Sequence, residues 1–184
     1  MKNLYDIEIR KALINRLKKK SKKVIEELHI HNGNAIADVV SLNNEAHCYE
    51  IKSDVDNINR IKKQGYFYDL SFSKITLVTT KKHLQNALKI APLHWGIMVA
   101  DYELNEVRIK YIRGTKYNKL FNKAISLKIL WKEEMLSLGY TKNKLKRKDE
   151  LVHLISEDTK RKDILKEISN LLSVRYENKL KSTS

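Results

Sequence analysis

Asp38, Glu50 and Lys52 are the residues in this sequence whose types and spacing could do chemistry. Residues 35–42 and 46–52 are rich in apolar and β-branched side chains, and the asparagine pair between them favours a tight turn, so they are predicted to form a hairpin. Side chains alternate along a strand, so Glu50 and Lys52 share one face, and Asp38 could lie opposite Glu50. Two neighbouring carboxylates repel each other unless a cation lies between them.

A divalent cation would satisfy this carboxylate pair. All-oxygen ligation by carboxylates and water suits Mg²⁺ or Mn²⁺, and the ammonium of Lys52 could orient a metal-bound water or neutralise charge on a phosphate. The alternative is structural, because Lys52 and one carboxylate could instead form a half-buried ion pair on an exposed sheet face. The spacing alone fits both interpretations.

Two flanking segments add to this pattern. Downstream, a helix predicted over Val55–Leu70 carries Gln64 and Tyr68 four residues apart and therefore on one face. Upstream, the acidic pair Glu26-Glu27 follows a helix predicted from about Leu4 to Lys20.

With these residues in this order, the sequence resembles the PD-(D/E)XK nuclease superfamily, and most closely its small bacterial and phage members of the MmcB-like kind with a RecB-type Gln-x-x-x-Tyr helix. The resemblance covers residues 4–112 and departs at Ala37, where the name-giving motif has proline. It implies an α/β fold with a restriction-endonuclease-like core, in which helices flank a central mixed sheet. The acidic pair would correspond to an acidic helix end.

The resemblance also implies a catalytic site. The residues that it assigns to this site are Glu27, Asp38, Glu50, Lys52, Gln64 and Tyr68. The three carboxylates would hold Mg²⁺ or Mn²⁺, Lys52 would lie beside the attacking water, and the Gln-Tyr pair would position the scissile phosphate or a metal-bound water. The choice between Glu26 and Glu27 stays open, and Glu27 is favoured because it directly precedes Leu28 and the short link to the next strand.

The C-terminal part of the chain is helical in pattern and strongly basic. Residues 110–184 hold 19 of the 37 Lys and Arg residues but only 9 of the 22 Asp and Glu residues. We therefore predict a nuclease core over residues 1–115 and a basic helical extension over residues 116–184. The predicted DNA-binding residues are Lys142, Lys144, Lys146, Arg147 and Lys148, together with Arg60 in the core. Such residues would hold the DNA backbone with little sequence specificity.

Apolar spacing in this extension predicts three helices. One runs through Leu127 and Leu138 and ends at Gly139, and the others cover 149–156 and 163–176. The arrangement resembles SAP-like helix-extended-helix DNA-binding modules. The same apolar positions also fit helices that dock on the core or form a dimer contact.

Composition limits the classes of function. The net charge of +15 makes polyanions the first class of partner, with nucleic acid ahead of an acidic membrane surface. There is no apolar run near the roughly 18 residues that span a bilayer and no signal-peptide pattern, so we expect a cytoplasmic protein of a bacterium or phage-infected cell. Cys48 is the only cysteine, so no intramolecular disulfide is possible.

These observations predict a Mg²⁺-dependent deoxyribonuclease of DNA repair, recombination or phage DNA metabolism, with a homodimer as one possible state. One alternative is a DNA-binding protein on the same fold without catalysis. Another is a basic adaptor that associates with RNA or with membranes.

Overall fold

A six-stranded sheet, with its strands in the order of the chain, organises the computed structural model, which describes residues 3–20 and 23–182. The strands are β1 (Lys23–Ile30), β2 (Ala35–Leu42), β3 (Ala46–Lys52), β4 (Lys74–Thr80), β5 (Gly96–Glu103) and β6 (Glu106–Arg113). The helices are α1 (Asp6–Lys18), α2 (Ile61–Ser71), α3 (Leu84–Ile90), α4 (Lys123–Leu127), α5 (Lys132–Met135), α6 (Lys148–Asp158) and α7 (Arg161–Ser182).

The sheet is mixed because short turns alternate with helical crossovers. Strands β1, β2 and β3 are antiparallel neighbours, and β5 and β6 form a second antiparallel hairpin. That hairpin turns at Leu104 and Asn105, whose φ angles of 50° and 65° suit a tight two-residue turn. Strands β3, β4 and β5 are parallel, since the chain returns through α2 and then α3 between them.

Helices cover both faces of the sheet. On one face, Ile9, Leu13 and Leu17 of α1 pack in a core with Tyr49 and Ile51 of β3. On the other face, α2 and the C-terminal helices share a second core with the sheet. The predicted α/β fold, a central mixed sheet flanked by helices with a basic helical C-terminal part, is confirmed.

The C-terminal helices bury apolar residues in the same core as the sheet. Met135, Leu151, Ile155 and Leu172 belong to one buried cluster with residues of β2, β3 and α2. Packing of this kind contributes roughly 25 cal/mol for each Å² of apolar surface removed from water. The apolar core therefore continues across the boundary predicted at residues 115 and 116.

Three predicted elements differ from the structure. The acidic pair Glu26-Glu27 lies in β1 and not at a helix end, because Val24, Leu28 and Ile30 bury their side chains while the segment pairs with β2. The helix predicted from Val55 begins only at Ile61, after a 3-10 turn.

The predicted helix through Leu127 and Leu138 is broken into α4 and α5. Trp131 is the N-cap residue of α5, and its backbone N–H donates a hydrogen bond to the side chain of Glu134. The chain leaves this helix at Gly139, whose φ of 99° favours glycine.

Candidate active site

Glu50 and Lys52 lie side by side on the sheet face that α2 covers. Strand β3 is central in the sheet and helices cover both faces, so its side chains are largely buried on both faces, with Tyr49 and Ile51 turned toward α1. Glu50 is 1% exposed and Lys52 is 7% exposed. The Lys52 Nζ donates a hydrogen bond to Glu50 Oε1 over 2.5 Å. The two residues therefore form a buried ion pair in the place where the sequence predicts a catalytic Glu and Lys.

The two oxygens of Glu50 differ, since Oε1 accepts the hydrogen bond from Lys52. Its Oε2 is buried and accepts no hydrogen bond from the described residues. Burial, and after it the neighbouring charge of Asp38, raises the pKa of Glu50 to about 7, against the opposing effects of the Lys52 ammonium and the nearby Tyr68 hydroxyl. Binding a proton or a further cation would lower the free-energy cost of burying this carboxylate.

Asp38 is fixed where β2, β3 and α1 meet. Its Oδ2 accepts a 2.7 Å hydrogen bond from the backbone N–H of Ile51. Its Oδ1 accepts a 3.2 Å hydrogen bond from Nη2 of Arg10, and Nη1 of Arg10 donates to the Asp38 carbonyl oxygen over 2.7 Å. The Asp38 side chain keeps 23% of its surface exposed, so it is more accessible to solvent than Glu50.

Arg10 is a residue of this site that the sequence reasoning missed. Its Nε donates to Asp6 Oδ1 over 2.8 Å, so the guanidinium lies between Asp6 and Asp38. Burial works against the charged form, but hydrogen bonds and charges from these two aspartates outweigh it and raise the pKa of Arg10. The available signal was local, because Asp6 and Arg10 are one helical turn apart beside the apolar stripe of α1.

Gln64 and Tyr68 lie one turn apart on α2, as predicted. The Tyr68 hydroxyl is buried and donates to the carbonyl oxygen of Ile36 over 2.9 Å. Burial and the neighbouring charge of Glu50 raise the pKa of Tyr68. Gln64 Oε1 is buried without a hydrogen-bond partner in the part of the chain that the structure describes. The helix therefore brings a fixed phenol and an unused amide oxygen to this side of the sheet.

Glu27 of β1 lies opposite Asp38 of β2, but the Glu27 side chain is exposed. The ladder pairs Glu26 with Val39 and Leu28 with Ala37, so Glu27 and Asp38 share a level in the register. Glu27 has a φ of 53°, a left-handed conformation that is costly for a residue with a Cβ atom. Within residues 3–20 and 23–182, no hydrogen bond or ion pair joins Glu27 to Asp38. Its part in a metal site stays a prediction.

Two carboxylates of the predicted metal set fit a divalent cation. Glu50 has an oxygen to which no described residue donates a hydrogen bond, and the charge of Asp38 acts on this carboxylate. Mg²⁺ often binds to proteins through one or two carboxylates and otherwise keeps water or phosphate oxygens as ligands. In the described part of the chain, no cluster of three or more His, Cys, Asp or Glu side chains is arranged to hold a metal. The metal site therefore stays a prediction, with Asp38 and Glu50 as the two carboxylates that would hold the cation.

The predicted DNA-binding residues lie mainly at the surface. Lys142, Lys144, Lys146 and Arg147 are exposed in the segment before α6, and Arg60 is exposed at the start of α2. Lys148 differs, because it is partly buried and its Nζ donates to the carbonyl oxygen of Lys128 over 2.8 Å. Burial, and after it the charge of Arg175, lowers the pKa of Lys148.

The turn between β1 and β2 packs against α2. Burial, with a smaller contribution from the charge of Lys128, lowers the pKa of His31 in this turn. The His31 ring packs edge-on against Phe67 of α2, with 4.9 Å between ring centroids. Phe67 is three residues from Gln64, so this contact fixes the β1–β2 turn against the helix of the candidate site.

The fold and the site define a class: an α/β protein whose mixed sheet buries a Glu–Lys pair beside a second carboxylate. No helix among the described residues combines the length and apolar character needed to cross a membrane.

The chain belongs to the bacteriophage P4 protein cII family, whose model matches residues 1–183. It is 30% identical over 139 residues to protein cII of Enterobacteria phage P4, a match that covers 73% of this chain. The chain spans about half (53%) of the length of that curated relative. Among solved structures, a protein of unknown function from Silicibacter pomeroyi superposes with a TM-score of 0.49 and 16% identity, over 74% of this chain and 88% of the other. Membership of the PD-(D/E)XK superfamily stays a prediction.

Proposed function

We propose that this chain is a metal-dependent nuclease that hydrolyses phosphodiester bonds in DNA. The observation that carries the proposal is Glu50, a buried carboxylate with one oxygen on Lys52 and the other without a geometric hydrogen bond from any described residue. Asp38 lies close enough for its charge to raise the pKa of Glu50. A strongly perturbed carboxylate beside a second carboxylate and a lysine is typical of sites that bind metal or transfer protons.

In this proposal, Asp38 and Glu50 hold Mg²⁺ or Mn²⁺. The bound metal would lower the pKa of a water molecule and stabilise negative charge on the phosphate. Lys52 contributes a fixed positive charge for the phosphate oxygens, and Arg10 keeps Asp38 in place from the other face of the sheet. The unused amide oxygen of Gln64 orients a water or the phosphate.

The exposed positive charge of the segment before α6 favours DNA as the substrate. Exposed lysines and arginines before α6 would contact the DNA backbone, which gives affinity without reading the base sequence. A family that includes a phage protein suits a role in phage DNA metabolism, repair or recombination.

Cleavage of end-labelled linear, branched and single-stranded DNA tests this function directly. We expect cutting with Mg²⁺ or Mn²⁺, none with EDTA, and a loss of about a hundredfold or more in Glu50→Gln and in Lys52→Met. The matched controls are Glu103→Gln and Lys110→Met, which remove an exposed Glu–Lys pair (2.6 Å) from the β5–β6 hairpin. Cutting that persists in EDTA, or in Glu50→Gln, would contradict the proposal.

A second candidate is a DNA-binding protein on the same fold without catalysis. It is favoured by the partners of the carboxylates, since both oxygens of Asp38 accept hydrogen bonds and Glu50 is paired with Lys52. In that case the cluster holds α1 against the sheet. DNA binding would then survive Asp38→Asn and Glu50→Gln in EDTA, and the unchanged protein would cut no substrate with any metal.

A further inference from the structure

Leu145 is the most exposed large apolar side chain in the described part of the protein. Its exposure is 101%, against 82% for the next, Leu104. A single exposed leucine is ordinary on a protein surface. This one is notable for its neighbours, because Lys142, Lys144, Lys146 and Arg147 surround it in sequence and are exposed as well.

The segment that carries Leu145, residues 141–147, is fastened on both sides. Lys132 Nζ donates to the carbonyl oxygen of Lys144 over 2.8 Å, and the Lys146 N–H donates to the carbonyl oxygen of Asn143 over 3.0 Å. The Arg147 N–H donates to Glu150 Oε2 over 2.6 Å, which closes a capping box at the start of α6. The leucine is thus presented by a held turn, with its side chain in water.

Helix α6 ties this turn to the body of the protein. Leu151, Val152 and Ile155 are buried in the core shared with the sheet. The apolar surface of Leu145 stays exposed after folding, so it is available for burial against a partner. The position of Leu145 is therefore fixed relative to the core of the protein.

We propose that segment 141–147 binds duplex DNA and inserts Leu145 between stacked base pairs. Apolar wedges of this kind enter from the minor groove, unstack one base step and kink the duplex, while basic neighbours hold the phosphates on either side. The proposal rests on the DNA-binding part of the proposed function and not on catalysis. One leucine is enough to open a base step, whereas anchoring on a lipid surface needs the larger apolar face of an amphipathic helix.

The test measures DNA bending in EDTA, where metal-dependent cutting is suppressed. Short duplexes with a fluorescent donor and acceptor at their ends are compared with and without a central mismatch. The proteins are the unchanged chain, Leu145→Ser, and Leu104→Ser as a control for the same substitution at another exposed turn. We expect the unchanged chain and the control to bend the duplex and to bind the mismatched duplex about tenfold more tightly, because its unstacking costs less.

In Leu145→Ser we expect the bend and the mismatch preference to disappear, while the salt dependence of binding is kept, since no charge is removed. The wedge is refuted if Leu145→Ser bends DNA as the unchanged chain does, or if Leu104→Ser loses the bend equally. The wedge is also refuted if Leu145→Ser binds vesicles of anionic lipid more weakly than the unchanged chain does but binds duplex DNA equally well. Failure of the unchanged chain to bind duplex DNA would overturn both the wedge and DNA binding. A bend without cutting under any metal would keep the wedge and overturn the nuclease.

Discussion

The sheet face under α2 and the segment before α6 both contain charged residues, but these residues are buried in the first region and exposed in the second. Under α2, Glu50 and Lys52 are almost fully buried and paired at 2.5 Å. In segment 141–147, four basic side chains stand in solvent around an exposed leucine. Buried charge is costly, so it is kept only where each group is compensated, and it strongly perturbs pKa values. Exposed charge costs little and acts at longer range on a polyanion.

The two regions are nevertheless parts of one folded body. Leu151, Ile155 and Leu172 of the C-terminal helices pack in the same core as strands β2 and β3. Arg175 of α7 also stacks 4.2 Å above the Trp131 ring and pairs with Glu134, which ties α7 to α5. The contrast between the regions is therefore one of burial, within an apolar core that they share.

The largest effect on stability is expected from Leu172→Ala, which tests whether the regions unfold together. Leu172 is fully buried, so its truncation should lower the free energy of unfolding by about 3 kcal/mol. Leu180→Ala on the same helix is the control, since that side chain is half-exposed and its loss should cost no more than about 0.5 kcal/mol. In a Trp131→Phe background, fluorescence of the buried Trp95 reports on the sheet, and circular dichroism reports on all helices. Two separate transitions would show that the extension unfolds independently.

The next effect concerns pH and isolates the buried carboxylate. The pKa of Glu50 is about 7 in the folded protein against 4.5 when unperturbed, so the folded state binds this proton more tightly. The free energy of unfolding should therefore fall as pH rises from about 4.5 to about 7, by on the order of 3 kcal/mol. Urea unfolding of the unchanged chain and of Glu50→Gln should differ in this slope. Addition of Mg²⁺ should reduce the fall, because the metal binds the ionised form. Equal pH profiles for the two proteins would show that Glu50 keeps an ordinary pKa.

The smallest effect on stability is expected in the basic segment. Replacing Lys142, Lys144 and Lys146 by Ala should change the free energy of unfolding by no more than about 0.5 kcal/mol each, because these side chains are exposed. DNA binding measured against salt should lose about 0.9 from its logarithmic slope for each phosphate contact removed. Lys89→Ala, at an exposed position on α3, serves as the control and should keep the slope. An unchanged slope in the triple variant would place the DNA contacts elsewhere.

Local patterns in the sequence determined the centre of the sheet. Strands 35–42 and 46–52 were predicted with the bounds that the structure has, because alternation, β-branched content and turn residues act over a few neighbours. The same period of two placed Glu50 and Lys52 on one face, and the helical period placed Gln64 and Tyr68 one turn apart.

Only the tertiary structure decided how buried and how connected these groups are. The local pattern indicates only the pairing of Arg10 with Asp6, whereas the contact of Arg10 with Asp38 joins residues 28 apart in sequence and depends on how α1 packs. The raised pKa of Glu50 depends on which helix covers β3 and on how close Asp38 comes. Glu26-Glu27 became part of a strand because β2 offers hydrogen bonds to this segment. Spacing along the chain is a local property, whereas burial, charge proximity and strand pairing arise only when distant segments pack together.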